Sequence, residues 1–409
     1  MPDISRFGSQ KFVSENDMVF VDVETIEFPA SIEMDVSYNS YLFASNGMLY
    51  LGTCCQGGSA HLIEYDPGKN EIRSLCNMDD LIKDHSMGYA RQGKIHNPLC
   101  EAADGRIYGA THMDILFPFW SSFYDSHGYA GGHWFCYDPR TGDCTDLGLA
   151  IEREGILTTA MDAERQIIYG LTWPRGYLLA YDIRKGTTTN KGRASVNLNR
   201  FIHCASDGTV YIPGTNGHIA SYHPDKDFVE DLPVRMRKFK NESDESSYGH
   251  ELVFTSPVEC DNGRSFVAAF LRGDMFKYDP IDGSVKYYDF FDNGIYINVQ
   301  MIVGGDGKIY YALPAEAGVS AVNECAAIFR FDPETETNEL VGYMRSKGHP
   351  QLFHLSGGVI GNDGTMYWFA LAPRDPDAGF YTREHIAASG FSQTKPILVK
   401  YNPSLKVMR

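Results

Sequence analysis

The segments NGMLYLG (residues 46–52) and EYDP (residues 64–67) form a pair of signals that decides the fold. The first places an Asn-Gly turn ahead of a strand, and the second ends a later strand at an Asp-Pro turn. Asn-Gly permits the positive φ angles of a tight hairpin, whereas Asp-Pro stops a strand and starts the next turn. Together they predict a small antiparallel sheet of short strands.

The same two signals recur in alternation along the whole chain. Further turn-and-strand copies begin at Asp104, Ala163 (a degenerate copy), Asp207, Asn262, Asp306 and Asp363, and further strand endings lie at Pro139, Ile183, Pro224, Pro280, Pro333 and Pro403. Seven copies, spaced by 41 to 72 residues, predict an all-β, seven-bladed β-propeller with four antiparallel strands per blade. We expect residues 1–409 to form this single domain, with residues 1–17 as an N-terminal extension.

The segment MVFVDVETIEF, residues 18–28, carries no turn signal of its own. We expect it to supply the outer strand of the last blade, whose third strand is ILVKYNP (residues 397–403), and so to close the ring. Two short helices are predicted, within residues 76–90 and within GFYTREHIAASG, residues 379–390.

Composition excludes several classes of partner and leaves the compartment open. The net charge of −17 argues against nucleic acid and anionic membranes, and no apolar run approaches the roughly 18 residues of a membrane span. The opening segment shows no secretory signal, and we expect a monomer. Nine cysteines leave at least one unpaired; Cys136 and Cys144 flank a hairpin and could pair, although free buried thiols are the favoured interpretation.

Blade topology places several polar residues on one rim of the propeller. Asp-Gly turns join the first two strands of each blade on one face, so the second-to-third loops and the blade crossovers share the opposite face. Five residues are predicted to point toward that rim: His96, His112, His133, Tyr177 and Arg193. The alternative, that each is a packing or solvated residue of its strand, stays open for every one of them taken singly.

This set of side chains suits elimination from a uronic acid. Removing the C5 proton of a uronate places negative charge beside an existing carboxylate, which a paired arginine stabilises. A neutral histidine can accept the proton, and a histidine or tyrosine can return one to the leaving O4. Neither a nucleophile nor a metal is required, so no cofactor is expected for catalysis.

The second and third blades resemble the seven-bladed propeller polysaccharide lyases, the ulvan lyases and the rhamnosyl-glucuronate lyases that act on gum arabic. GATH at His112, GGHWFCYDP at His133 and the following Tyr177 and Arg193 carry this resemblance over about 100 residues. It implies that His112 is base and acid, and that His133, Tyr177 and Arg193 neutralise the carboxylate. An acidic polysaccharide or oligosaccharide containing a rhamnose-α-1,4-glucuronate linkage is the implied substrate.

Further positions are predicted to bind substrate. Trp120 lies in the aromatic loop between His112 and His133, where it could stack on a sugar or pack as an apolar plug. His96, Arg200, His250 and His354 lie near the starts of inner strands and could line the funnel. Arg200, seven residues after Arg193, is also the alternative partner for the carboxylate. Some ulvan lyases hold a structural metal, but His250 and Cys260 form no convincing ligand set, so no metal ligand is assigned.

Two other functions remain possible at this level: a non-catalytic propeller that binds carbohydrate or protein, and a metal-dependent propeller hydrolase or lactonase. The second class needs a cluster of Glu, Asp and Asn on the inner strands, which the sequence does not show. Fold alone does not exclude the first. The particular polymer, internal or terminal cleavage, and sulfate recognition are not determined. A polymer substrate suggests export, whereas the visible sequence offers no signal for it.

Overall fold

Five of the predicted Asn-Gly and Asp-Gly turns are placed as expected, with Gly47, Gly105, Gly208, Gly307 and Gly364 at positive φ; the predicted turn at Asn262 lies outside the described residues. The computed structural model describes residues 20–83, 91–114, 128–195, 200–214, 217–236, 257–260, 265–269, 275–288, 301–313, 326–349, 351–375 and 394–403. The described part of the chain is nearly all-β, with 57% strand and 2% helix, and its seven sheets form a seven-bladed β-propeller. The predicted fold class is confirmed.

The first four blades follow one another in chain order, each a four-stranded antiparallel sheet. Blade 1 contains β3 Tyr41–Phe43, β4 Leu49–Gly52, β5 His61–Asp66 and β6 Glu71–Asn77; blade 2 contains β7 Cys100–Glu101, β8 Ile107–Ala110, β9 Gly131–Asp138 and β10 Asp143–Glu152. Blade 3 contains β11 Gly155–Asp162, β12 Ile167–Trp173, β13 Tyr177–Asp182 and β14 Thr187–Arg193; blade 4 contains β15 His203–Cys204, β16 Val210–Pro213, β17 His218–His223 and β18 Phe228–Arg235.

The last three blades continue the same order. Blade 5 contains β19 Val258–Cys260, β20 Ser265–Ala269, β21 Met275–Asp279 and β22 Ser284–Tyr287; blade 6 contains β23 Ile302–Val303, β24 Ile309–Leu313, β25 Ala327–Asp332 and β26 Thr337–Arg345. Blade 7 contains β27 Phe353–Ile360, β28 Met366–Pro373 and β29 Thr394–Tyr401. Its fourth strand comes from the N-terminal part of the chain.

Two N-terminal strands close the ring. β2 (Glu24–Glu27) pairs antiparallel with β29 as the outer strand of blade 7, which confirms the predicted closure. β1 (Phe20–Asp22) adds a fifth strand to blade 6 by pairing in parallel with β26, an arrangement that the sequence did not predict. Val23 lies between the two strands and is 7% exposed, in the apolar core shared by blades 6 and 7. One short segment therefore joins two blades.

Alternating side chains on each strand pack against the two neighbouring blades. On β9, Phe135 and Tyr137 belong to the apolar cluster shared with blade 1. Trp134 and Cys136 belong to the cluster shared with blade 3. This alternation follows from the two-residue period of a strand. The faces of each blade are thus fixed by its register.

The thiols of Cys136 and Cys144 are both free. They lie on opposite faces of blade 2, because Cys136 packs toward blade 3 whereas Cys144 packs in the cluster shared with blade 1. Pairing across the hairpin is therefore not the arrangement found. Instead, Cys144 interacts with the thiol of Cys76 on β6.

The helix α1 spans Met78–Ile82, within the first predicted helical region. Asn77 caps it, accepting hydrogen bonds from the amides of Asp79 and Asp80, as a side-chain oxygen at this position commonly does. The second predicted helix, residues 379–390, lies outside the described residues. In the described part of the chain, no helix is long and apolar enough to cross a membrane.

Candidate functional site

A short ladder of backbone bridges joins blades 1 and 2 at the inner ends of their strands. Cys54 bridges to Val36 and to Lys94, and Lys94 bridges in turn to His112. The amide of His112 donates to the Lys94 carbonyl at 2.8 Å, and the Lys94 amide donates to the His112 carbonyl at 3.0 Å. Bridged residues in an antiparallel pair present their side chains to the same face. The ladder therefore sets Lys94 beside His112.

The imidazole of His112 is fully buried and held on three sides. Its ring stacks on that of Trp173 at a centroid distance of 5.8 Å. Gly155 leaves room for it, since a Cβ there would lie 2.7 Å from the His112 Cγ. Nδ1 lies 3.2 Å from the Met113 carbonyl oxygen, so this nitrogen carries the proton and donates. The lone pair of the neutral ring then resides on Nε2.

Burial keeps His112 uncharged. Burial, together with the nearby Lys94 and Arg200 cations, lowers the pKa of the imidazole to about 3, and the hydrogen bond to Met113 opposes this shift. Nε2 is buried and has no hydrogen-bond partner among the described residues. His112 therefore presents a neutral basic nitrogen beside two cations.

His96 and Arg200 extend this cluster. The rings of His96 and His112 lie 6.2 Å apart, and Tyr38 lies 4.9 Å from His96. The Arg200 guanidinium sits over the Tyr38 ring at 5.5 Å, a cation–π distance. Burial, together with the charges of Arg200, His112 and Lys94, holds the pKa of His96 well below its usual value. The structure thus brings together three predicted residues, His96, His112 and Arg200.

Lys94 is 1% exposed, and its Nζ has no hydrogen-bond partner in the described part of the chain. Burial lowers the pKa of its amine to about 8, although the neighbouring Asp114 carboxylate raises it in part. The Asp114 carboxylate is already engaged, accepting from the amides of Arg91 and Gly57 at 3.0 and 3.1 Å. The cluster is therefore rich in positive charge.

His133 lies on the other face of blade 2. Ala110 pairs with Trp134, so Thr111 stands beside His133, and the Thr111 amide donates to the His133 carbonyl at 3.0 Å. Since side chains alternate along a strand, His112 and His133 point to opposite faces. His133 Nδ1 instead lies 2.9 Å from Asp146 Oδ1 on β10. The structure does not bring the two histidines together.

Tyr177 and Arg193 face each other across β13 and β14, farther from the centre. The exposed Arg193 ends the outermost strand of blade 3, three strands from β11, or about 14 Å at the usual strand spacing. Arg200, by contrast, precedes the innermost strand of blade 4 and is 6% exposed. Of the remaining predicted residues, His354 lies within β27, while Trp120 and His250 lie outside the described residues.

Sequence reasoning missed Lys94, Tyr38 and Trp173. The signal for Lys94 was present in KIHNP, residues 94–98, because it stands two residues before His96 and shares its side of an extended segment. Trp173, at the end of the second strand of blade 3, occupies the position that His112 takes just after the second strand of blade 2. Comparing these positions between blades would have found it.

Among the described residues, no group of three or more His, Cys, Asp or Glu side chains is arranged to hold a metal ion.

No protein-family model and no curated protein matches the chain. Solved structures do resemble it. A fungal alcohol oxidase in complex with copper aligns with a TM-score of 0.57 at 14% identity, over 94% of this chain and 77% of that one. A catalytically inactive variant of virginiamycin B lyase from Staphylococcus aureus, with quinupristin, aligns with a TM-score of 0.57 at 8% identity, over 93% and 99%.

A chain of the mitotic checkpoint complex aligns at a TM-score of 0.54 and 9% identity, over 93% and 94%. Identities this low show the fold alone. The fold defines the chain as a seven-bladed β-propeller, a class whose members include enzymes and interaction proteins alike.

Proposed function

We propose that this propeller is a polysaccharide lyase that cleaves a rhamnose-α-1,4-glucuronate linkage by β-elimination. One observation carries the proposal: the neutral, unpartnered Nε2 of the buried His112 lies beside the cations Lys94 and Arg200. A basic nitrogen next to positive charge fits a substrate that combines a carboxylate with an adjacent acidic C–H. The linkage and the sugar follow from the resemblance of the second and third blades to the propeller lyases.

In the proposed reaction, His112 Nε2 accepts the C5 proton of glucuronate. The electron pair of the broken C–H bond forms the C4–C5 double bond, and the bond from C4 to O4 breaks. The proton then passes from His112 to the departing O4, so one side chain serves as base and then as acid. The products are an unsaturated uronate and a free hydroxyl group.

The carboxylate must be neutralised as charge develops at C5, and Arg200 is the arginine that the geometry favours. It acts electrostatically on both His96 and His112, whereas Arg193 ends an outer strand. A guanidinium can bond both oxygens of a carboxylate. Arg200 therefore takes the role that the resemblance gives to Arg193, while the roles of His133 and Tyr177 remain predictions.

The direct test is the ultraviolet absorbance of the unsaturated product after mixing the protein with ulvan, gum arabic and other polyuronates. A neutral polysaccharide serves as the substrate control. We expect His112→Gln to lower kcat by roughly 10²–10⁴-fold while the circular dichroism spectrum stays unchanged. The absence of any unsaturated product from every polyuronate would overturn the proposal and favour a non-catalytic binding propeller.

The two arginines are compared on the best substrate. Arg200→Ala should abolish turnover. Arg200→Lys should lower turnover nearly as much, because lysine lacks the planar guanidinium that binds both carboxylate oxygens. Arg193→Ala is the matched control and should retain most of the activity. If Arg193→Ala is inactive and Arg200→Ala is not, the carboxylate lies at blade 3 and the assignment of Arg200 is wrong.

A further inference from the structure

Lys94 is a buried cation that no described side chain pairs with directly. Its Nζ has no hydrogen-bond partner within the described ranges, carboxylate oxygens included. The side chain is 1% exposed, so water does not solvate it. A buried charge without a partner is costly to a folded protein. A contribution to stability therefore does not explain why a lysine occupies position 94.

The nearest acidic groups do not supply that partner. Asp114 accepts hydrogen bonds from two backbone amides, and Asp35 accepts one from the Gln56 amide at 2.6 Å. Burial raises the pKa of the Cys54 thiol to about 12, so Cys54 is uncharged at neutral pH. The neutral His112 and His96 add no negative charge. Since no described group is left to pair with Lys94, an anion from outside the chain is the partner that fits this position.

We propose that Lys94 is the anion-binding residue of this cluster, and that with Arg200 it holds the carboxylate of a bound sugar acid. The ligand class is a small carboxylate, identified as a uronate only because this step rests on the proposed function. Two cations on separate blades can each bind one oxygen of the same carboxylate. This arrangement orients the sugar ring of the uronate above His112. Neither the sequence pattern nor the resemblance assigns Lys94 this role.

The experiment measures binding by isothermal titration calorimetry, with sodium glucuronate, methyl glucoside and sodium sulfate as the three probes. Lys94→Met removes the charge but keeps an unbranched side chain of similar length. We expect it to weaken glucuronate binding by roughly 10- to 100-fold, the loss of a charge-assisted hydrogen bond. Methyl glucoside, which lacks the carboxylate, should bind equally to both proteins. Lys185→Met is the control, since that lysine is exposed and paired with Asp182.

Thermal stability separates a ligand-binding role from a structural one. A lysine that holds the blades together would lower Tm when replaced. A lysine kept charged for an absent ligand should instead raise Tm, by roughly 2–4 °C, when replaced with methionine. A lowered Tm combined with unchanged glucuronate affinity would overturn the proposal. If Lys94→Met does not fold, Lys94→Gln is measured in its place with the same two readouts.

Proton exchange on binding gives a second readout. Near pH 8 a fraction of the protein molecules carries Lys94 in its neutral form. A bound anion should raise the pKa of Lys94, so the binding of glucuronate should be accompanied by proton uptake. The charged and titratable groups facing Lys94 are Cys54, Asp114, Asp35, Arg200, His96 and His112. Titrations at pH 8 in two buffers of different ionisation enthalpy measure the uptake, which Lys94→Met should lose.

The two proposals fail in different ways. Wild-type protein that binds sulfate but not glucuronate, and yields no unsaturated product, would refute the uronate function and keep the anion site at Lys94. Wild-type protein that produces unsaturated uronate, together with a Lys94→Met variant of unchanged affinity and rate, would refute the role of Lys94 and keep the lyase. Failure of all three probes to bind would overturn the anion site itself.

Discussion

At the scale of single residues, His112 is positioned by its contacts with Trp173 and Met113 and by the missing side chain at Gly155. A Cβ at residue 155 would lie 2.7 Å from His112 Cγ and 2.8 Å from Nδ1. Neither distance is compatible with ordinary packing, so a methyl group there must move the ring. The ring is also limited on its other side by the Trp173 indole. Gly155 is thus a positioning residue for the proposed base.

We expect Gly155→Ala to lower kcat by about 10²-fold, the effect of a small misplacement of a reacting group. The fold should persist, because residue 155 opens β11 and its neighbours can shift locally. Steady-state kinetics on the best polyuronate, with Tm measured alongside, checks this. The control variant is Gly305→Ala, because a Cβ at residue 305 meets no atom within 4 Å. Gly186→Ala would not serve, since Gly186 has a positive φ that alanine disfavours. Equal activity of the two variants would show that the His112 ring is not constrained by residue 155.

The pH profile of kcat/KM should differ from that of an ordinary histidine base. With the His112 pKa near 3, the base stays neutral as pH falls, so activity should hold down to about pH 4. On the alkaline side, kcat/KM should fall above about pH 8 as Lys94 loses its proton. Rates measured from pH 4 to 10 test both limbs. An acid limb near pH 6.5 would mean that the reacting histidine is more exposed than His112.

At the scale of elements, β1 and β2 hold the ring closed by pairing with two different blades. Val23 connects them, donates from its amide to the Arg345 carbonyl at 2.9 Å, and packs in the core between blades 6 and 7. Without this segment, β29 would be an open sheet edge, which invites pairing with other chains. The N-terminal strands therefore stabilise the contact at which the propeller begins and ends.

Val23→Asp should destabilise the protein by about 3 kcal/mol or more, because it buries an unpaired carboxylate in an apolar core. Urea unfolding followed by tryptophan fluorescence measures the change. Glu24→Gln is the neighbouring control: it breaks only the exposed pair with Lys400, 3.0 Å apart, and should cost under about 1 kcal/mol. Equal stability of the two variants would mean that the N-terminal segment contributes little to closure.

At the scale of the whole molecule, several buried or half-buried histidines favour the neutral form. Burial lowers the pKa of His61, His96, His112, His203 and His349, to about 4 for His203. In the unfolded chain each would titrate near 6.5, so the unfolded state binds more protons than the folded state below that pH. Their contribution is complete above pH 6.5 and is lost as pH falls toward each folded pKa.

We therefore expect the free energy of unfolding to decrease from pH 7 to pH 4. For His112 alone the loss at pH 5 is roughly 2 kcal/mol, from 1.4 kcal/mol per pH unit over the interval from 6.5. Urea unfolding at a series of pH values gives the slope, and His112→Gln should make it shallower. A slope unchanged by that substitution would show that His112 titrates in the folded protein as it does in the unfolded chain.

The turns, blade number and ring closure could be predicted from the sequence, because Asn-Gly, Asp-Gly and Asp-Pro act on the local backbone at each repeat. The sequence also supplied His96, His112 and Arg200 as candidates. It misjudged which residues meet, since a predicted strand end does not reveal the face of the sheet to which a side chain points. His133 follows the loop that His112 precedes, yet the strand register turns its side chain to the opposite face.

Only the tertiary structure decided the composition of the buried cluster. Lys94, His112 and Arg200 are far apart in the sequence and meet because successive blades bring their inner strands to a common centre. Removing these groups from water there, where few opposite charges compensate, lowers the pKa values of His112 and Lys94. The sequence alone determined the propeller architecture, because its turn residues act on the local backbone. The pKa values of the cluster were determined by the tertiary structure, because only the closed ring of blades buries these residues.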